Sequence, residues 1–233
     1  MSGLFMSPHW QLMLANKLLA DGWGQNLRKK TRLCDVWWIC QHLEKIDCID
    51  ALEFGGWDTD AWRLVAEHVK NLTVTDSFGW ASRECASQMY PREQWEKEIK
   101  EAGHKTYQLD ICDLVDVEQY DCIYSISVIE HVQEDVDAMK RIHRALKPGG
   151  IFVFTTEVNI YVGLPYQEDV FFGVYSLDGI KTKLKEAGFE IDECVIPEEA
   201  NFDMCMKEAV ENPWLLRKPY KHFAPMGFCA RRT

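Results

Sequence analysis

A glutamate followed by two glycines, Glu53, Gly55 and Gly56, opens a series of residues suited to ligand binding and proton transfer. Asp76, Asp110, Ser127, Glu130 and His131 continue it. Carboxylates accept hydrogen bonds from hydroxyls and amines and attract positive charge. Adjacent glycines let the backbone turn sharply and approach a ligand with no Cβ in the way. An imidazole titrates where a general base is useful. Taken singly, each has an ordinary explanation. A Gly-Gly pair is a turn, Asp76 or Asp110 caps a helix, and Glu130-His131 starts one, where the dipole favours an acid. Their order matters more, because each follows its own apolar stretch.

Those stretches define the elements. "CIDALEF" (48–54) reads as a strand and "TDAWRLVAEHVK" (59–70) as a helix with Trp62, Val65, Ala66 and Val69 on one face. "LTVTD" (72–76) is a second strand, and "PREQWEKEIKEAG" a helix opened by Pro91. "TYQLDI" (106–111) is a third strand. "DCIYSISVI" (121–129) is a fourth, too continuously apolar to be half exposed. A helix over 134–146 should bury Val136, Met139 and Leu146 and stop at Lys-Pro-Gly-Gly. "IFVFTTE" is a fifth strand, and Ser176 caps a helix that Gly188 closes. "FEIDECVI" and "GFCARR" supply a sixth and a seventh strand.

Strands alternating with helices predict an α/β fold: a doubly wound, mostly parallel seven-stranded sheet with helices on both faces. Residues 1–47 are expected to form an N-terminal helical extension. One helix starts at Ser7-Pro8 and runs to Leu19, and a second covers 33–45 with Val36, Trp37, Cys40 and Leu43 on one side. Residues 48–233 form the main domain. Such sheets bind ligands beyond the carboxyl ends of their strands. That rule selects Glu53, Gly55 and Gly56 after the first strand, Asp76 after the second and Asp110 to Asp113 after the third. Ser127, Glu130 and His131 follow the fourth strand, and Thr155 to Glu157 the fifth.

Bulk properties narrow the function. The chain has 233 residues, 47% of them hydrophobic, and a formal charge of −11. An acidic surface repels phosphate backbones, so a nucleic-acid partner is not expected. "RKKTR" (28–32) and "LRKPYKH" (216–222) read as solvated faces or helix ends. The nine cysteines include no Cys-x-x-Cys pair and read as reduced, mostly buried thiols, with no zinc-site spacing. The first residues lack the basic start of a signal peptide, and no stretch of about 18 apolar residues occurs. A cytoplasmic, soluble protein is the expectation.

The loop after the first strand discriminates between ligands. A dinucleotide needs Gly-x-Gly-x-x-Gly cradling its pyrophosphate at a helix start. Here Gly55-Gly56-Trp57-Asp58-Thr59-Asp60 has no third glycine and places aspartates where phosphates would lie. Nor does a Tyr-x-x-x-Lys pair occur, which argues against a nicotinamide-dependent oxidoreductase. A cationic, phosphate-free ligand with a ribose fits better, with Asp76 placed for the ribose hydroxyls. At this point the sequence resembles the class I S-adenosylmethionine-dependent methyltransferases over about residues 48–195. The resemblance is carried by "ALEFGGW", Asp76, "QLDICDL" and "YDCIYSISVIEHVQEDVDAMKRIHRALKPGGIFVFTT".

The resemblance implies roles. The backbone at Glu53, Gly55 and Gly56 contacts the methionine part of the cofactor. Asp76 holds the ribose hydroxyls, Asp110 accepts from the adenine amino group, Ile111 packs on the ring, and Ser127 lies near the methionyl end. His131 is the residue placed to act as a base. No metal is expected, because Ser127 stands where magnesium-using relatives carry a second glutamate. The glycines are adjacent, where the family more often spaces them as acid-x-Gly-x-Gly. The implied activity is methyl transfer from S-adenosylmethionine, leaving S-adenosylhomocysteine, to O or N of a small molecule or glycan. A non-catalytic cofactor-binding subunit and an RNA methyltransferase are the alternatives. Acceptor selection is expected from His9, Trp10 and Trp23, from the insert after Asp76, from the aromatic segment 159–176, and from the tail with Trp214, Tyr220, His222 and Phe223.

Overall fold

The computed structural model describes residues 19–20, 22, 24, 32–57, 59–79, 90–159, 175–194 and 223–233. The expected helix from Ser7 falls almost wholly outside them. So do His9, Trp10, Trp23, most of the aromatic segment, and Trp214, Tyr220 and His222.

Seven strands form one sheet: β1 Asp50–Phe54, β2 Asn71–Asp76, β3 Lys105–Gln108, β4 Tyr120–Ile126, β5 Leu146–Asn159, β6 Phe189–Cys194 and β7 Phe223–Arg232. Their order is β3-β2-β1-β4-β5-β7-β6. The first five run parallel, and β7 lies antiparallel between β5 and β6. This is the mostly parallel, seven-stranded sheet the sequence predicted. β4 owes its continuous apolar run to its central place. Cys122, Ile123 and Tyr124 are fully buried, whereas the edge strand β3 is mostly exposed.

The helices are α1 Leu33–Leu43, α2 Trp62–Val65, α3 Arg92–Glu101, α4 Asp135–Ala145 and α5 Leu177–Glu186. They cover both faces of the sheet, as the cross-strand pairs reveal. Gly227 pairs with Thr155, and a Cβ on Gly227 would meet the Trp38 ring of α1 at 2.6 Å. Thr155 and Val153 therefore face α1. Phe152 points the opposite way, toward Phe189, which His143 of α4 meets edge-on. α1 buries Leu33, Val36, Ile39, Cys40 and Leu43 in the core, while Trp37 stays half-buried.

Several boundaries differ from expectation: the third and fourth strands end earlier, at Gln108 and Ile126, the fifth is longer, and two further differences have a clear cause. The helix predicted over 59–70 shortens to α2. After Ala66 the chain tightens into i→i+3 bonds, Glu67 N donating to Leu64 O and His68 N to Val65 O. Asn71 N already donates to Ile49 O at 2.8 Å, which fixes the start of β2 and ends the winding. Leu146 is the first residue of β5, directly after α4, although it is buried as predicted. Other signals hold as read: Ser176 Oγ accepts from Gly179 N at 3.0 Å, and Gly188 closes α5 with φ +98°.

Candidate functional site

The residues selected at the strand ends lie along one edge of the sheet, and backbone contacts join them. β1 leaves the sheet at Phe54, and Gly55 takes φ +72°. A Cβ on Gly55 would sit 2.4 Å from Val128 Cγ2, just beyond β4. Only glycine satisfies both demands. Gly56 lies over the Glu53 carboxyl and Val74, each 2.8 Å from where its Cβ would be. Its N–H donates to Thr75 O at 3.1 Å. The adjacent glycines therefore answer two packing demands, one from β4 and one from β1 and β2.

Trp57 completes the turn through its backbone. Its N–H donates to Asp76 Oδ2 at 3.1 Å, and Phe78 N donates to Asp76 Oδ1 at 2.6 Å. The Trp57 ring is buried, donating to Tyr90 O at 2.8 Å and meeting Phe78 edge-on. Asp76 is half-buried and clasps the loops after β1 and β2. Both donors are backbone N–H groups, so this tie between the two loops needs no basic side chain. Leu109 N donates to Asp76 O, which brings the next turn alongside. There Asp110 is exposed and caps the short turn Ile111–Asp113 by accepting from Cys112 N at 2.9 Å. Ile111 is buried.

Glu53 is only 1% exposed. Tyr124 OH donates to its Oε2 at 2.9 Å and Thr59 Oγ1 to its Oε1 at 3.1 Å. Burial pushes this carboxyl up to about 8, against the pull of those two donors and with a further push from Asp60 and Asp76. Its side chain supports the loop from below.

Ser127 ends β4 in a left-handed conformation, φ +50°, with its N–H donating to Thr155 O at 2.9 Å. Its hydroxyl accepts from Arg32 Nη1 at 2.8 Å. Arg32, at the start of α1, also lies 3.9 Å from Asp35 Oδ2. Asp35 is buried, and that burial raises its carboxyl, while the Arg32 charge and the Thr155 hydroxyl beside it pull the other way. Beyond Ser127 the chain makes the short turn Ile129–His131. Glu130 is wholly buried and accepts from Thr156 Oγ1 at 2.8 Å, tying this turn to β5. His131 is half-buried, next in the chain to that tie. Sequence reading assigned no role to Arg32 or Asp35. The only signal was an arginine ending a basic run at a helix start.

The arrangement suits a ribose-bearing cation better than a pyrophosphate. Asp76 and Asp110 lie on the β2 and β3 side, with Glu53 buried beneath the loop, and Arg32 lies on the β4 side. Replacing Asp76 by alanine should remove the acceptor and also release the N–H groups of Trp57 and Phe78. Binding of S-adenosylhomocysteine, measured by calorimetry, is expected to weaken by about 1.5–3 kcal/mol. Far-UV circular dichroism should remain that of a folded protein. An unchanged affinity would remove Asp76 from the site.

Residues 61–154 match the family model described as a methyltransferase domain. Over that stretch the chain is similar to this domain. The matched stretch contains Asp76, Asp110, Ile111, Ser127 and His131. Glu53, Gly55, Gly56, Arg32 and Asp35 precede it. No curated protein matches the sequence.

Solved structures share the fold at low identity. A provisionally assigned sarcosine dimethylglycine methyltransferase from Galdieria sulphuraria is 13% identical with a TM-score of 0.62, over 88% of each chain. Phosphoethanolamine N-methyltransferase 2 of Haemonchus contortus, in complex with S-adenosyl-L-methionine, is 18% identical with a TM-score of 0.60. That likeness covers 84% of this chain and 52% of that one. The [4+2]-cyclase SpnF is 16% identical with a TM-score of 0.63, over 97% of this chain and 95% of that one. The fold is thus one shared by proteins named as methyltransferases and by a cyclase. Activity must be argued from the site.

Proposed function

We propose that this protein binds S-adenosylmethionine at the carboxyl edge of β1 to β4 and transfers its methyl group to O or N of a small molecule or glycan. The observation that carries this is Asp76, a half-buried carboxylate at the end of β2 whose contact with Trp57 N–H sets it against the glycine loop. The donor set fits the cofactor chemically. Asp76 suits its hydroxyls, Asp110 its adenine amine, and the surrounding acids its positive charge. When bound, the cofactor supplies an electrophilic methyl group and leaves as S-adenosylhomocysteine.

The protein's own task is then positioning. The clasp of Trp57 and Phe78 on Asp76, and the approach of Val128 to Gly55, hold the loop in one geometry, which reduces the entropy lost in aligning nucleophile and methyl carbon. His131, in the turn after Ser127, is the proposed base for a hydroxyl acceptor. His131→Ala should lower kcat at least tenfold for a hydroxyl acceptor while leaving S-adenosylhomocysteine affinity within twofold, following the usual size of general-base effects, about 10²–10⁴. Full turnover would strike it out. Residues 1–47 are proposed as a helical cap on the domain formed by 48–233, in a cytoplasmic protein. Among the described residues no helix is long and apolar enough to cross a membrane. The net charge of −11 favours a small acceptor over RNA.

A second reading, cofactor binding without methyl transfer, draws on the cyclase relative with the same fold. A thermal-shift series with S-adenosylmethionine, S-adenosylhomocysteine, NAD and NADP tests what both readings share. Ligands that bind only the folded state raise the midpoint. Stabilisation by the dinucleotides alone would overturn both. Turnover of labelled methyl groups then separates them.

A further inference from the structure

We propose that β3 is the seam of a symmetric dimer, in which its free edge and the flank of α3 above it pair with a second copy of this chain. The inference is independent of what the strand-end site binds. β3 is the last strand on its side of the sheet and pairs with β2. Leu109 N donates to Asp76 O, so Lys105, Tyr107 and Leu109 address β2, and the N–H and C=O groups of Thr106 and Gln108 point outward. Among the described residues no strand pairs with them. Four large apolar side chains are exposed among those residues, and three of them gather here: Tyr107, 41% exposed, Val115, 72%, and Val117, 56%. The Tyr107 hydroxyl lies beside Tyr120, whose own hydroxyl donates at 2.9 Å to Asp116, the residue between the two valines. Open backbone groups next to uncovered apolar side chains make a template for another strand.

The charges on α3 select the occupant. Glu98 pairs with Arg63 of α2, toward the middle of the sheet. Arg92, Glu96 and Lys100, each four residues from the next, form a different flank. Arg92 Nη1 donates to Gln108 Oε1 at 3.3 Å, which places that flank over β3. The same contact sets Arg92 level with the end of β3, and Lys100 therefore nearer its start. Arg92 is also stacked on the Phe78 ring, 3.8 Å from its centre. Beyond it the flank runs from acid to base, from Glu93 and Glu96 to Lys100. An antiparallel copy reverses that order and sets acid against base twice, whereas a strand of one charge would meet only half of it. Gln108 faces α3, so Lys105 and Tyr107 face the other side of the sheet. A two-fold axis normal to the sheet through Thr106 puts Thr106 opposite the partner's Thr106 as a doubly bonded pair. It brings Glu96 near the partner's Lys100. On the other face Lys105 meets the partner's Tyr107, where an ammonium beside an aromatic ring is favourable. The apolar patches of the two copies leave water together.

Sedimentation equilibrium of the full chain from about 1 to 200 µM should find a reversible dimer. Its dissociation constant is expected on the order of 10 µM, as suits an interface at the small end of the specific range. Thr106→Pro removes an outward N–H without costing a bond to β2, and proline is tolerated on an edge strand. It should weaken the dimer by about tenfold or more. Glu96→Lys sets lysine against the partner's Lys100 and should weaken it about 5- to 10-fold. Glu96→Lys combined with Lys100→Glu exchanges the signs within each helix and across the axis, and should restore the dimer to within about twofold of wild type. That rescue decides the matter should Thr106→Pro lower the melting midpoint. A monomer at every concentration overturns the proposal. So does a dimer indifferent to the proline and to the charge exchange, which would use another face. A monomer whose Thr106 and Gln108 amides resist hydrogen exchange would have this edge covered by its own chain, which overturns it equally.

Discussion

Gly55→Ala is expected to destabilise the protein by about 2–4 kcal/mol, several times the cost of a glycine replacement that meets only a backbone penalty. Two effects add. The residue sits at φ +72°, where an L side chain crowds its own carbonyl. The new Cβ would also fall 2.4 Å from Val128 Cγ2 and 2.9 Å from Cγ1, well inside contact distance. Val128 is β-branched and stiff, and the turn carrying it is tied to β5 through Ser127 and Glu130. The clash therefore has little slack. Gly149 supplies the control. Its φ is +78°, yet nothing lies within 4 Å of its would-be Cβ. Gly149→Ala should cost only the backbone part, roughly 1 kcal/mol. Thermal unfolding should show a midpoint drop about 5–15 °C for Gly55→Ala and about 2–4 °C for Gly149→Ala. Gly55→Ala combined with Val128→Ala should recover part of the difference. Equal drops for the two single variants would mean that the approach of β4 to the loop does not constrain Gly55.

That experiment also marks where the sequence stopped being informative. The strands, their order of use and the residues at their ends follow from local patterns: the apolar run of "DCIYSISVI", Lys-Pro-Gly-Gly after a helix, an acid closing "LTVTD". Asp76 was legible because its position in the chain fixes its place at a strand end. The reason for two adjacent glycines was not, since it lies in Val128 just beyond β4 and in Val74 of β2. Arg32 was legible only in part for the same reason. Within "RKKTR" it reads as a solvated charge or a helix end, and it does stand at the start of α1, but its partner Ser127 is 95 residues away. The length of α2 was overread because helix periodicity continues through Val69, while the pairing of Asn71 with Ile49 that ends it is tertiary. Glu53 was expected at the ligand, and its type suggested an ionised acid. Its burial beneath Gly56 changes what it can do.

Glu53 should make stability fall as the solution turns alkaline, and Glu53→Gln should remove most of that fall. Burial raises the carboxyl from 4.5 to about 8 in the folded chain, and Asp60 and Asp76 reinforce the shift. Tyr124 and Thr59, which face it from β4 and from its own loop, are neutral donors that oppose it; Tyr124 stays a phenol because burial raises it too. Between those two values the folded protein keeps a proton that the unfolded chain releases. The stabilisation tied to Glu53 is therefore complete below about pH 4.5 and is lost as pH rises through about 8. The slope approaches about 1.4 kcal/mol per pH unit, so the loss amounts to a few kcal/mol. Glutamine copies the neutral acid, with one acceptor and a donor group that the Tyr124 and Thr59 hydroxyls can accept from. Denaturant unfolding at pH 5.5 should find Glu53→Gln equal to wild type or slightly weaker. At pH 9 it should be the more stable of the two, because wild type then buries an ionised carboxylate beside two other acids. The crossing is the signature, since a purely steric effect would displace one curve from the other by a constant amount. Parallel curves would mean that Glu53 is already ionised in the folded protein at neutral pH. A cationic ligand at the glycine loop favours that ionised form. Its affinity should accordingly rise with pH in wild type and stay level in Glu53→Gln, linking the buried acid to the positive charge that the loop's aspartates first suggested.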